Sequence, residues 1–419
     1  MSTNDRLHAL DAVRAFALLL GVMFHGGFSF IPGMIPGLWV IVDNSPSTTI
    51  SVVSFASHMF RMTLFFFVAG FFAHMMYHRK GPRGFWRDRA KRILGPLVVG
   101  WLILFPMIAV IWVWGLMKTF GGKLPAPPAN APAPLPGAFP LTHLWFLYYL
   151  LILYVIVLLV RWMIVAIDRN GAIRRTADTL TRGVVRTGLA AVLLPLPLIA
   201  AMYTHHEWYQ WFGIPTPDRS VIPQLVSLIG FGTAVAFGWL VRRQLEHDDV
   251  LSMWRRQWPF HLAAAVIATI VCLSLVGVVP KFVPAVRGTS TLAYAFAYGI
   301  AIWCWCFAVI GAAVRYLSTG RFAVRYVADA SYWIYLAHLP VVAVFQVIVG
   351  QWPLHWTIKF PIVMAASFAV LFGSYHYLVR GSFIGAILSG KRIRQTPEMP
   401  SASNTPIHST EPTVKTSGM

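Results

Sequence analysis

The stretch Leu7–Phe30, LHALDAVRAFALLLGVMFHGGFSF, decides the fold, because it is long and apolar enough to span a bilayer yet carries Asp11, Arg14 and His25. A charge inside a membrane helix costs roughly 3 kcal/mol or more, so it usually serves a function and faces the bundle interior. At about 100° per residue, Arg14 and His25 lie about 20° apart around the helix and about 16 Å apart along it. Asp11 lies one turn before Arg14 on nearly the same side. This stripe indicates a path through the bundle.

Composition extends this prediction to the whole chain. Of the 419 residues, 57% are hydrophobic and only 11% are charged. The mean hydropathy is +0.65, which overrides the two or three soluble domains that the length alone would suggest. Repeated apolar runs of about 20 residues predict an all-α, polytopic integral membrane helix bundle. We expect one transmembrane domain over residues 1–394 and a disordered polar cytosolic tail over residues 395–419.

The hydropathy predicts about ten transmembrane helices. The fifth is short and contains Pro195 and Pro197, which favour a broken helix. A proline-rich loop at 123–140 is predicted to be extended. The predicted spans cover residues 7–30, 50–77, 93–117, 143–167, 189–202, 221–240, 258–279, 291–314, 330–349 and 356–379.

The net charge of +20 follows the predicted topology. Seven Lys and Arg residues lie between 79 and 92, six between 161 and 186, and four between 242 and 256, whereas the alternate connections hold few. This asymmetry places both termini in the cytosol and argues against a nucleic-acid partner. A second interpretation stays open beside it, because a basic cytosolic face also attracts an anionic substrate such as a nucleotide-bearing cofactor.

His58 and Arg61 form an i,i+3 pair on the second span, about two to three turns below the outer surface. We expect them to share a layer with His25 and to form a polar pocket. The alternative is that Arg61 extends to the outer interface while His58 bonds a neighbouring helix.

Three further polar residues are candidates for the path. His143 begins the fourth span at the outer boundary, where it is either a site residue or a wet interfacial one. His338 lies near mid-membrane, and Pro340 frees backbone groups at that depth, which favours a helix that lines a cavity. Asp329 lies at the cytosolic mouth of the ninth span, where the alternative role is a helix N-terminal charge.

The sequence lacks the motifs of several classes of catalytic and metal-binding site. No HExxH pattern occurs, and the three cysteines lie inside apolar runs, so we expect no metal site and no disulfide framework. There is no GxSxG elbow, P-loop or glycine-rich dinucleotide motif. We expect no permanently bound cofactor, and a histidine-centred mechanism remains.

Five strings resemble, in the same order, the membrane acyltransferase 3 family. They are LDAVRAFALLLGVMFH (10–25), FRMTLFFFVAGFF (60–72), RDRAKRILGPL (87–97), HLWFLYYL (143–150) and SYWIYLAHLP (331–340). The first contains an Arg and a His separated by ten residues. Within the family, the second, third and fourth strings are most similar to those of a succinyltransferase that modifies osmoregulated periplasmic glucans.

The resemblance implies acyl transfer across the bacterial inner membrane. The donor is a cytosolic acyl-CoA, either succinyl-CoA or acetyl-CoA, and the acceptor is a hydroxyl of a periplasmic or surface glycan. The resemblance makes His25 catalytic and Arg14 essential, and it assigns donor binding to Arg89 and Arg92.

The chemistry agrees with this assignment, because hydroxyl attack on a thioester needs a base with a near-neutral pKa. We expect His25 to be the general base, with Arg14 and Arg61 holding the donor arm or stabilising the oxyanion. His58 completes the predicted catalytic set. The predicted substrate-binding residues are His143, Trp145 and His338.

Two alternatives remain. Within the enzyme class, His25 carries a transient acyl group instead of acting as a base. In a different class, the protein is a multi-span transporter or flippase, and the stripe from Arg14 to His25 lines the route of a polar or anionic solute.

Overall fold

A computed structural model describes residues 3–124, 137–245, 250–319 and 322–389. These residues are almost entirely helical, and the only β-pairing among them consists of two isolated bridges. The all-α prediction is therefore confirmed. The predicted polar tail and most of the predicted proline-rich loop lie outside the described residues.

Thirteen α-helices are found in the described part of the chain. In order, they are α1 (Thr3–Gly27), α2 (Thr48–Arg89), α3 (Gly95–Thr119), α4 (Trp145–Ile167), α5 (Ala172–Arg186), α6 (Ala190–Leu193), α7 (Leu196–Thr204), α8 (Leu225–Gln244), α9 (Val250–Val276), α10 (Thr289–Tyr316), α11 (Phe322–Val349), α12 (Trp356–Ser374) and α13 (Phe383–Ser389).

Eight helical segments of the described chain are long and apolar enough to cross a membrane, or up to nine if one bent pair counts as a span. One of the eight, Thr48–Thr119, has 72 residues, about 108 Å if straight, and so is far longer than a bilayer core of about 30 Å. It contains the second and third predicted spans, and Gly81, with φ of 68°, interrupts it just before Pro82. The chain is a multi-pass helical membrane protein.

The fifth predicted span is broken. Helices α6 and α7 replace a single helix, and α7 begins directly after Pro195, which has no N–H to continue the α6 hydrogen-bond pattern. The preceding helix, α5, makes an angle of 105° with the segment Ala190–Thr204. The predicted break is therefore present, and Pro195 accounts for the division between α6 and α7.

Helix α2 approaches α8 closely enough for backbone contact. A Cβ atom at Gly70 would lie 2.0 Å from the carbonyl oxygen of Val235, and one at Gly238 would lie 2.0 Å from that of Phe67. Small residues permit such contacts between membrane helices. Helix α11 packs against α1, α3 and α12, and α1 packs against both α2 and α11.

Two polar contacts fix the end of α1 that carries His25. The side chain of Gln346 on α11 donates to the carbonyl oxygens of His25 at 2.8 Å and Gly26 at 2.9 Å, which otherwise lack helical partners. The loop after α1 is tied to α12 by a fully buried ion pair, in which Lys359 Nζ lies 2.5 Å from Asp43 Oδ1.

Candidate active site

A cavity of about 410 Å³ lies between α1, α2, α4 and α11. Its middle is lined by apolar side chains, including Met62, Phe65, Phe72 and Leu150. Polar residues from several helices complete the lining. They include Arg14, His25, His58, Arg61, Arg89, Arg92, His143, Asp329, Tyr332, Tyr335 and His338.

Contacts along helix α11 show the order in which these residues lie along the cavity. In order along α11, Ala328 contacts Arg14, Tyr332 contacts Arg92, Leu336 contacts His143 and His338 contacts His25. The ten helical steps from Ala328 to His338 span about 15 Å. The cavity therefore has an arginine end and a histidine end.

At the histidine end, His25 and His338 are hydrogen-bonded to each other. His25 Nδ1 lies 2.8 Å from His338 Nε2, and the rings stack with centroids 5.0 Å apart. His338 Nδ1 lies 2.7 Å from the carbonyl oxygen of Tyr335. His25 is partly exposed to the cavity, whereas His338 is buried. No residue of the described chain other than His338 hydrogen-bonds the His25 ring.

His143 is a buried partner of the α11 backbone. Its Nε2 donates to the carbonyl oxygen of Leu336 at 2.9 Å, and its own carbonyl oxygen accepts from the Tyr335 hydroxyl at 2.8 Å. The Leu336 carbonyl is free because Pro340, four residues later, has no N–H. Pro340 therefore does free a backbone group beside the cavity, as predicted, and His143 is the side chain that hydrogen-bonds it. The wet interfacial alternative for His143 is wrong, because only 7% of the residue is exposed.

Arg61 is a buried cation without an acidic partner in the described chain. Its guanidinium lies 4.3 Å from the ring centroid of Phe24, and its Nη1 has no hydrogen-bond partner. Because Arg61 is only 5% exposed, the alternative in which it extends to the outer interface is wrong. His58 stacks on Phe24 and hydrogen-bonds the carbonyl oxygen of Phe212 at 3.0 Å. The part of that alternative in which His58 bonds a neighbouring helix therefore holds, because Phe212 ends the short helix Gln210–Phe212.

At the arginine end, Arg14 is held between two helices. Its Nη2 lies 3.3 Å from Asp11 Oδ1 and 3.2 Å from the carbonyl oxygen of Ala328. Asp329 lines the cavity here, beside Arg14. It lies two turns into α11, beyond the first turn to which a helix dipole effect is confined, so the helix N-terminal role is wrong.

Arg89 and Arg92 share a buried carboxylate that the sequence prediction missed. Asp88, which is 8% exposed, lies 2.6 Å from Arg89, 2.7 Å from Lys80 and 3.5 Å from Arg92. Three cations around one anion leave the cluster positive. The i,i+4 spacing of Asp88 and Arg92 is the sequence signal that could have identified this partner.

The structure thus brings every predicted site residue to one cavity. Trp145 lines it too, but it is 7% exposed and its ring packs on Phe66 and Phe231, within the helix bundle. The residues that sequence reasoning missed are Phe24, Asp88, Tyr332, Tyr335 and Gln346. Among the described residues, no three His, Cys, Asp or Glu side chains are placed to hold a metal ion.

Comparison with known proteins identifies the family. Residues 7–376 match the acyltransferase domain of acyltransferase 3. Glucans biosynthesis protein C of Shigella dysenteriae serotype 1 (strain Sd197) and that of Escherichia coli (strain SMS-3-5 / SECEC) are each 29% identical to the chain over 168 residues. The alignment covers 40% of this chain and 41% of each relative.

No solved structure matches the chain. The family match includes every polar residue named above in the cavity, from Arg14 to His338, and the relatives confirm the narrower resemblance inferred from the second, third and fourth strings. The chain is a multi-pass membrane protein that belongs to the acyltransferase 3 family.

Proposed function

We propose that this protein transfers an acyl group from acyl-CoA, bound at the arginine end of the cavity, to a glycan hydroxyl at the histidine end. One observation carries the proposal: a single cavity contains both a cluster of cations and a histidine that is partly exposed to the space. A donor with phosphates and a long neutral arm suits a cavity with a basic end and an apolar middle.

His25 acts as the general base. The acceptor oxygen attacks the thioester carbonyl carbon while its proton moves to a ring nitrogen of His25, the carbon–sulfur bond breaks, and the leaving thiolate takes the proton. The products are an O-acyl ester and free CoA. The alternative of a transient acyl-histidine uses the same ring nitrogen as a nucleophile.

Arg61 stabilises the oxyanion. Its unpartnered Nη1 is a buried donor in the same cavity, and such donors are strongest where water is excluded. His58 does not supply this donor, because its Nε2 already binds the Phe212 carbonyl and its other nitrogen is then an acceptor. Its contribution is the stacked contact that holds Phe24 beneath Arg61.

The donor phosphates bind Arg89 and Arg92, and Arg14 contacts the arm as it enters the cavity. The concentration of Lys and Arg between 79 and 92 favours a cytosolic location for this end, and the cytosol is where acyl-CoA is found. Since Asp88 occupies part of the cluster, we expect phosphate to compete with it for the guanidinium groups.

The relatives support the proposed acceptor. Their printed name, glucans biosynthesis protein C, favours a glucan. We propose that this glucan is on the periplasmic side of the inner membrane. We propose succinyl as the acyl group, with acetyl as the alternative.

The test is acyl transfer by purified protein in proteoliposomes supplied with radiolabelled succinyl-CoA or acetyl-CoA and a β-glucan. We expect label to become covalently attached to the glucan, and His25→Ala to abolish this transfer. His206→Ala is the matched control, because His206 is exposed and lies away from the cavity. Full transfer by His25→Ala protein would refute the base and the acyl-histidine alike, and movement of unmodified glucan without labelling would favour the transporter.

A further inference from the structure

The hydrogen bonds around His338 determine which nitrogen of each histidine carries a proton. A backbone carbonyl only accepts hydrogen bonds, so His338 Nδ1, 2.7 Å from the Tyr335 oxygen, carries the hydrogen. In a neutral imidazole the other nitrogen, Nε2, is then an acceptor. His25 Nδ1, 2.8 Å from that nitrogen, therefore donates. The lone pair of His25 is left on Nε2.

We propose that His338 is a positioning residue that locks His25 in the Nδ1-protonated tautomer and presents Nε2 to the acceptor hydroxyl. This assignment rests on the proposed role of His25 as general base. It replaces the substrate-binding role that the sequence predicted, because both ring nitrogens of His338 are already used by protein groups.

A histidine suits this position for an electrostatic reason. When His25 accepts the hydroxyl proton on Nε2, its Nδ1–H bond to His338 becomes charge-assisted and therefore stronger. A carboxylate in place of His338 would strengthen this bond further, but it would add a charge that is expensive to bury in a membrane protein. The neutral imidazole orients the base without that cost.

The α11 backbone holds His338 in turn. His143 binds the Leu336 carbonyl that Pro340 leaves free, and the Tyr335 hydroxyl binds the carbonyl oxygen of His143. The rings of His143 and His338 meet edge to face with centroids 5.1 Å apart. The orienting contacts thus run from His143 through α11 to His338 and then to His25. The other titratable or charged groups that face the pair are Arg61, His58 and Tyr335.

Kinetics of two His338 variants test the role. His338→Leu removes the acceptor for His25 Nδ1–H, and we expect kcat to fall by about 100- to 10,000-fold, the range for loss of general-base catalysis. The KM for acyl-CoA should change less than about twofold, since His338 makes no contact with the donor end. His338→Gln offers an amide oxygen in place of Nε2 and should recover part of kcat. His376→Leu is the matched control: His376 binds Tyr326 outside the cavity and should leave kcat unchanged.

Nitrogen NMR of protein labelled with ¹⁵N-histidine tests the tautomer itself, including in the wild type if a variant fails to fold. His25 signals are identified by their absence from His25→Ala protein. The proposal requires hydrogen on Nδ1 of His25 in the wild type and a mixture of tautomers in His338→Leu. Hydrogen on Nε2 of wild-type His25, or wild-type kcat in His338→Leu, would overturn it.

The two proposals fail in different ways. Transfer by His25→Ala protein would refute the proposed function. An inactive His25→Ala together with a fully active His338→Leu would leave that function intact and refute only the positioning role.

Discussion

At the residue scale, the most informative side chain is Arg61. Burial of a charge without an ionic partner costs several kcal/mol, and the contact with Phe24 recovers only about 2 kcal/mol. A protein retains such a group where a ligand or a transition state supplies the missing negative charge. Arg61 therefore has the properties expected of an oxyanion donor, and its function is separable from stability.

We predict that Arg61→Leu lowers kcat by about 100- to 1,000-fold, the effect typical of losing one oxyanion donor. The melting temperature should stay the same or rise, because an uncompensated buried charge is removed. Arg61→Lys keeps the charge and should retain intermediate activity. Steady-state kinetics and thermal unfolding in detergent measure both effects.

Arg243→Leu serves as the control for Arg61. Arg243 pairs with Asp178 outside the cavity, so its loss should lower stability and leave kcat unchanged. A fall in both kcat and melting temperature for Arg61→Leu would instead indicate that Arg61 supports the fold.

At the element scale, packing between helices depends on positions where a side chain is absent. Helices α2 and α8 meet backbone to backbone at Gly70 and Gly238, and α2 carries both His58 and Arg61. Helix α11 is held in a different way: Pro340 removes one helical hydrogen bond, and His143 donates to the Leu336 carbonyl oxygen that is left free. The two contacts thus hold α2 and α11, which both line the cavity.

We predict that Gly70→Ala lowers the free energy of unfolding by about 1–3 kcal/mol, because the added methyl group overlaps the Val235 backbone, which cannot move aside as a side chain can. Gly373→Ala in α12 is the matched control. Apart from its chain neighbours and the backbone of its own helix, no described atom lies within 4 Å of its Cβ position, so alanine should stabilise by about 0.5–1 kcal/mol. Denaturant unfolding in detergent measures both values, and equal shifts in the same direction would contradict the close approach.

At the scale of the whole molecule, the proposed reaction depends on the orientation of the chain in the membrane. The arginine end must face the cytosol and the histidine end the periplasm. The distribution of Lys and Arg predicts this orientation, which places Arg83 inside and Val286 outside.

Cysteine labelling in intact cells tests the orientation. A membrane-impermeant maleimide should modify Val286→Cys directly and Arg83→Cys only after permeabilisation, since both positions are exposed. The native cysteines Cys272, Cys304 and Cys306 are free but buried, so background labelling should be low. The reverse pattern would invert the assignment of donor and acceptor ends.

The sequence by itself determined the features that depend on local periodicity and composition: the membrane helices, the break near Pro195, and the stripe from Arg14 to His25. Only the tertiary structure decided which side chains meet. His25 and His338 are separated by 313 positions in the chain, and their bond requires α1 to pack on α11 in one register. Likewise, burial distinguishes Arg61 from an interfacial arginine and His143 from a wet one. Hydropathy locates a helix in the bilayer, but the rotation of each helix toward its neighbours is set by side-chain packing, which one sequence does not specify.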